Sequence, residues 1–259
     1  MKFSIITTTF KQQKQIFQAV LSLQHQTHKD WEMIIINDSP KDTTYHDFAS
    51  SINDHRIQYH VNEVTRGTNY SKNIALEKIS ADSRWVIFLS DNNYLSPDAL
   101  ATFSKLIMLH EDAKWFVTNN ALKNGVSLTH FPRDETFYSY TLSCLFLRRS
   151  RRGATHCIET KLITHSSARF SKYVKQEEEW FFLYQIGLRS KLFYFDHNST
   201  ISDENKIAPD SLFQKKTASE IFESTTQLLY EGADHGLLKH PTFLFAIFIR
   251  YLELIITKK

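Results

Sequence analysis

The chain has 259 residues, 42% of them hydrophobic and 14% aromatic, which is enough for a substantial core and far from the composition of a disordered chain. A formal net charge of +3 is too mild to single out nucleic acid as a partner, and no aromatic–basic stripe accompanies it. Six glycines and five prolines are too few for a loop-dominated all-β fold; two cysteines, Cys144 and Cys157, without CxxC spacing argue against a disulfide framework or a thiolate zinc site.

The first apolar run, residues 3–6, is cut by Thr7 and is too short for a secretory leader. No stretch approaches the roughly 18 apolar residues of a membrane span. A cytoplasmic location is the expectation.

In chain order, residues 3–8 read as a buried strand. Ile16, Val20 and Leu23, with Phe17 and Leu21 beside them, form the stripe of a helix. Residues 31–36 are a second strand, rich in β-branched side chains, and 57–61 a third. A helical pattern over 69–79 offers Ile74, Leu76 and Ile79 for burial, and 84–89 is the next strand. Ser96-Pro97-Asp98 opens another helix, with serine at the N-cap, proline in the first turn and aspartate at the positive end of the dipole. Residues 114–118 are a strand beyond it. This alternation argues for an α/β fold with a mostly parallel sheet flanked by helices.

From 121 to about 169 the pattern weakens to polar turns and two apolar runs. Residues 177–186 read as a helix and 191–195 as a strand. The polar segment 196–210 reads as a mobile loop, and 211–259 as a helical C-terminal appendage.

Four polar clusters each follow an apolar segment: Thr7-Thr8-Thr9-Phe10, Asn37-Asp38-Ser39-Pro40, Tyr70-Ser71-Lys72-Asn73 and Ser90-Asp91-Asn92-Asn93. Strand ends in an open α/β sheet converge on one edge, where ligands bind. The clusters therefore predict one site, that of an enzyme or a nucleotide binder.

The order of several short pieces resembles family 2 glycosyltransferases of the GT-A, Rossmann-like fold. The pieces are Phe3 to Phe10, Leu23-Gln-His-Gln-Thr27, Trp31 to Ser39, Arg66-Gly67, Ser71-Lys72-Asn73-Ile74-Ala75, Phe88 to Leu100, and Glu178-Glu179-Trp180. The resemblance is close over 1–110 and patchy to about 195. It implies a nucleotide-binding part over 1–110, an acceptor-side part over 111–210 and the helical segment 211–259. It also implies a nucleotide-diphosphate sugar donor, a saccharide or lipid-linked saccharide acceptor in surface polysaccharide synthesis, inverting transfer, and a weakly bound Mn²⁺ or Mg²⁺.

Thr8, Thr9 and Phe10 stand where the first strand ends. A nucleobase needs a flat apolar surface and edge hydrogen bonds, which a ring and threonine backbone can provide; the alternative is a ring packed between loop and helix. Asp38 ends the second strand, and the resemblance gives its carboxylate the imide N–H of uracil or thymine. Organising its own turn is the competing role. Lys72 and Asn73, at a helix start after Gly67, suit a diphosphate because charge and N–H donors act together there. A solvated lysine is the plainer reading.

Asp91, Asn92 and Asn93 fall on the family's metal motif with one carboxylate left among amides. Hard cations favour carboxylate oxygen, so weak binding is expected, with the diphosphate carrying much of the coordination; a polar loop capping the next helix is the alternative. Glu179, with Glu178 in reserve, is the expected catalytic base, by resemblance to the acidic pair before tryptophan. An acidic first turn complementing the dipole explains the same residues without catalysis.

Arg148, Arg149, Arg151 and Arg152 could receive phosphates or anionic lipid, or form a solvated run. His156 and Cys157 follow on what the analogy makes the acceptor side. Residues 243–256 are apolar but, at about 1.5 Å per residue, extend only about 21 Å, too short for a bilayer. Arg250 and Glu253 are spaced to pair on one helical face, leaving Phe245, Phe248, Leu252 and Ile255 to dock on the domain, join a second chain or lie in the inner face of a membrane. The eroded metal motif also supports a second class of function, a non-catalytic nucleotide-sugar-binding or scaffold subunit.

Overall fold

Every residue of Trp31–Asn37 is buried, as expected of a strand covered on both faces, and this segment (β2) lies inside a nine-stranded sheet. The computed structural model describes residues 1–147, 153–175, 178–202 and 217–257. The strands are β1 (Lys2–Thr9), β2, β3 (Ile57–Val61), β4 (Ser83–Phe88), β5 (Asn93–Leu95), β6 (Trp115–Leu122), β7 (Thr136–Tyr138), β8 (Ala154–Glu159) and β9 (Leu192–Ser202). Their order is β3-β2-β1-β4-β8-β6-β9-β5, with β7 also on β9. The first four are parallel; β8 runs antiparallel to both β4 and β6, and β6 is parallel to β9.

Successive strand residues feed opposite cores. Ile5, Met33, Ile35 and Ile87 face α1 (Gln13–Gln24), α2 (Tyr45–Ser51) and α4 (Ala99–Leu109) through Ile16, Leu23, Phe48 and Phe103. Ile6, Ile34, Ile36 and Val86 face the other way. There they meet α3 (Thr68–Glu77), α5 (Thr160–Ser166), α6 (Glu179–Gly187), α7 (Ala218–Asp234) and α8 (Pro241–Thr257).

Three expectations are corrected. Residues 196–202, read as loop, continue β9, with Asn198 opposite Asn119 and Thr200 opposite Asn120; ladder partners override the polar composition. The weak region beyond 121 contains β7, a π-helical turn (Thr141–Phe146), β8 and α5. Ser96 does not cap α4. Its hydroxyl donates to the Asp98 carboxylate at 2.9 Å, and the Leu100 N–H of the first turn is instead satisfied by Gln26 Oε1 at 3.1 Å, 74 residues away. Arg250 turns inward from α8 to the Glu178 carboxylate, and the Glu253 side chain expected to pair with it lies outside the described residues.

The C-terminal helices are packed onto the sheet domain. Thr217 and Glu220 form a reciprocal capping box at the start of α7. A Cβ at Gly232 would stand 2.4 Å from the Phe243 ring, so glycine is what allows α7 and α8 to pack this closely. Phe243, Ala246 and Ile247 are buried, whereas Leu244, Phe245, Phe248 and Leu252 leave an exposed apolar face. Among the described residues no helix is long and apolar enough to cross a membrane.

Candidate active site

The ends of β1, β2 and β4 open into a cleft of about 170 Å³ lined by Thr8, Thr9, Phe10, Gln12, Asp38, Thr68, Ser90 and Asp91. Five residues expected at the site thus share one cavity. The β1 end is held by Tyr45, whose hydroxyl bonds Thr9 Oγ1 at 2.7 Å and accepts from the Gln12 N–H at 2.9 Å. Lys11 takes a left-handed φ of 55°, and the Phe10 ring stays 40% exposed at the cleft mouth. A larger cavity of about 340 Å³ opens at the far end of α6 beside Gln185, Arg189, His235 and Lys239, and none of the expected residues borders it.

Asp38 is buried and its carboxylate is engaged. Oδ1 accepts from Asn62 Nδ2 at 2.7 Å and from the Arg66 N–H at 2.9 Å, and Oδ2 accepts from the Gly67 N–H at 2.7 Å. It therefore fixes the loop that enters α3. The turn at the end of β2 is organised by Asn37, whose Oδ1 accepts from the Ser39 N–H at 2.7 Å.

Gly67 shows why the loop carries glycine: its φ is 96°, and a Cβ there would sit 2.4 Å from the Lys175 carbonyl. Beside it, Asn69 donates through its backbone to that same carbonyl at 3.2 Å and through Nδ2 to the Val174 carbonyl at 2.7 Å. Asn73, expected beside a diphosphate, is drawn elsewhere: Nδ2 donates to the Phe170 carbonyl at 2.9 Å and Oδ1 accepts the Phe170 N–H at 3.0 Å. The start of α3 is thereby bound to the chain that leads into α6.

On that helix, Lys72 meets the Glu179 carboxylate in an ion pair, and its ammonium lies 4.9 Å from the centre of the Phe170 ring. The lysine charge holds Glu179 below the usual glutamate range, although the carboxylate is 54% exposed. Glu178, only 3% exposed, faces away: it accepts from Trp180 Nε1 at 2.6 Å and from the Arg250 guanidinium.

His156 lies close enough for the Glu179 charge to act on its ring. Its Nδ1 accepts from Trp115 Nε1 at 3.1 Å, and burial pushes its pKa down to about 4, so the ring is neutral at pH 7 with its proton on Nε2. The neighbouring strand residue Cys157 points into the opposite core, where burial raises its thiol well above the usual range. Arg148, Arg149, Arg151 and Arg152 lie outside the described residues.

Two of the three expected metal ligands have their amide oxygens engaged by serine hydroxyls. Asn92 Oδ1 accepts from the Ser90 hydroxyl at 2.7 Å, and Asn93 Oδ1 accepts from the Ser202 hydroxyl at 2.9 Å. No trio of His, Cys, Asp or Glu side chains suited to a metal occurs among the described residues. Of the three, Asp91 alone lines the cleft. One carboxylate fits a Mg²⁺ or Mn²⁺ that arrives with a diphosphate, not one held by protein ligands alone.

A mixed α/β sheet with its polar cleft at the ends of β1, β2 and β4 is the GT-A arrangement. The solved structure of Staphylococcus aureus TarS superimposes with a TM-score of 0.67 at 19% identity, over 91% of this chain and 43% of that one. Its 1–349 fragment in complex with UDP-GlcNAc gives 0.65 at 18% identity, over 95% and 79%. Residues 4–161 match glycosyl transferase family 2, and the chain belongs to that family. A Campylobacter jejuni GalNAc(5)-diNAcBac-PP-undecaprenol beta-1,3-glucosyltransferase is 35% identical over 103 residues, 39% of this chain and 33% of its own length. The putative colanic acid biosynthesis glycosyl transferase WcaA of Escherichia coli is 28% identical over 101 residues, 39% of this chain and 36% of its own. The chain spans about a third of the length of these curated relatives.

Proposed function

We propose that the protein transfers a sugar from a nucleotide-diphosphate sugar to a saccharide or lipid-linked saccharide acceptor, with inversion. The observation that carries this reading is the Lys72–Glu179 pair: a cation suited to a diphosphate and a carboxylate suited to deprotonating an acceptor stand in contact. The undecaprenol-linked substrate in the Campylobacter relative's name and the UDP-GlcNAc complex of TarS support the two substrate classes.

In this mechanism Phe10 stacks on the base while Thr8 and Thr9 border its edge. Asp38 acts through the loop it holds, shaping the wall of the cleft. Asp91 would hold a divalent ion that arrives with the donor, and that ion would offset the charge of the departing diphosphate. The acceptor oxygen bonds to the anomeric carbon as the bond to the diphosphate oxygen breaks. Glu179 takes the acceptor proton, and Lys72 turns to the diphosphate. The neutral His156 lines the acceptor side. The outer face of α8 lies against the membrane that carries the acceptor, which gives a peripheral protein at the inner face.

A non-catalytic nucleotide-sugar-binding subunit is the second reading, favoured by the engagement of Asn92 and Asn93 with Ser90 and Ser202. Nucleotide release from a panel of UDP-sugars, with and without Mn²⁺, separates the two. Metal-stimulated release supports transfer. Thermal stabilisation by a nucleotide-sugar, with no release under any condition, supports the subunit.

A further inference from the structure

Glu178 is the residue at which the chain turns into α6, and its backbone is left-handed, with a φ of 61°. A glutamate has no intrinsic preference for that conformation, so its surroundings must hold it there. Its side chain does not cap the helix. It is buried instead, and a buried carboxylate needs a counter-charge and hydrogen bonds. The Arg250 guanidinium supplies the charge from α8, and Trp180 Nε1 supplies a bond at 2.6 Å. Arg250 also lies 5.8 Å from the Trp180 ring centre, so three side chains close around the turn. The helix carrying Arg250 is itself fixed: Phe243 and Ile247 are buried, and the Thr242 hydroxyl bonds Tyr184 of α6 at 2.7 Å.

We propose that Arg250 is a positioning residue for the transfer step: by fixing the Glu178 turn it aims Glu179 at Lys72 and at the acceptor. The proposal rests on the reading of Glu179 as the base. Among the described residues, the groups whose charge acts with that of Glu179 are Lys72 from α3, His156 from β8 and Tyr140 before the π-helical turn, and none of these is on α8. Arg250 therefore acts on the site through Glu178 rather than by touching substrate. This makes the last helix part of the machinery that places the base.

The test uses the full chain with Arg250→Met, Arg250→Lys and the double variant Arg250→Met/Glu178→Gln, the last removing both buried charges. Turnover with a donor, UDP affinity by calorimetry and the pH profile of turnover are measured together. Expected for Arg250→Met is a fall in kcat of about 10–100-fold, the scale of a small misplacement of a reacting group. UDP affinity should stay within twofold, and the acidic limb should move to higher pH as Glu179 leaves Lys72. Arg250→Lys should recover most of the loss. If Arg250→Met does not fold, the double variant takes its place with the same expectation, since a neutralised buried pair is often tolerated, and Arg250→Lys is read beside it. Wild-type kcat and an unmoved acidic limb in either folded charge-removing variant overturn the proposal, as does an Arg250→Lys variant with no recovery. Undiminished turnover in Glu179→Gln marks the separate failure of the base assignment.

Discussion

Lys72 and Glu179, 107 residues apart in the chain, form an ion pair where α3 meets the start of α6. The cation suited to the donor is thus the partner of the carboxylate suited to the acceptor. The lysine charge lowers the Glu179 pKa, so Glu179 stays ionised to a lower pH than a free glutamate. Removing the charge in Lys72→Gln should raise that pKa and move the acidic limb of kcat/KM to higher pH. Glu179→Gln should lower turnover by about 10²–10⁴-fold with UDP affinity near wild type. A large loss in Glu178→Gln combined with an active Glu179→Gln would place the base one residue earlier.

Phe10 and Asp38 should separate cleanly. Phe10→Ala should weaken UDP binding by about 1–3 kcal/mol if a base stacks there, with little change in Tm, since the ring is 40% exposed. Asp38→Asn turns an acceptor into a donor facing backbone N–H groups, which should cost about 1–3 kcal/mol of stability. Calorimetry and melting curves on both variants check the pair of outcomes.

Asn92→Asp adds a second carboxylate beside Asp91. Mn²⁺ affinity measured in the presence of UDP should tighten, because hard cations favour anionic oxygen. Unaltered affinity would mean that residue 92, held to Ser90 at 2.7 Å, does not face the ion.

His156 sets a pH dependence of stability. Its folded pKa of about 4 lies below the ordinary histidine value of 6.5, so the unfolded chain takes up a proton that the native protein refuses. The histidine's contribution is therefore full above pH 6.5 and is lost as pH falls from there toward 4. His156→Gln should flatten that part of a denaturation-against-pH curve, and unchanged slopes would show that the ring is protonated in the fold.

The exposed face of α8 should carry membrane contact. Replacing Phe245 and Phe248 together by serine should abolish flotation with anionic liposomes while leaving Tm nearly unchanged, as both rings are exposed. A change of oligomeric size in the same variant, without any flotation in wild type, would assign the face to a second copy of the chain.

The parallel half of the sheet was legible because runs such as residues 33–36 are apolar throughout, and helix α1 because its stripe repeats with helical spacing. The antiparallel half was not. In β8, Thr155, His156 and Glu159 interrupt the apolar pattern, and the strand is defined by β4 and β6 on either side. The far end of β9 is polar yet pairs with both β6 and β5. At the site, the clusters after the strands were readable one by one. Partners supplied from far along the chain were not: Arg66 and Gly67 for Asp38, Phe170 for Asn73, and Arg250 for Glu178.

The contact at Gly67 bears on how the protein can move. Opening a hinge between α3 and the chain entering α6 would break both bonds from Asn69 and both bonds between Asn73 and Phe170. The two sides of the site are therefore riveted at that point, and the proposed swing of Lys72 from carboxylate to phosphate is left to rotation of one side chain. Such rotation needs no domain closure, a motion of microseconds to milliseconds. At this joint the proposed mechanism has a fixed jaw and a single moving tooth.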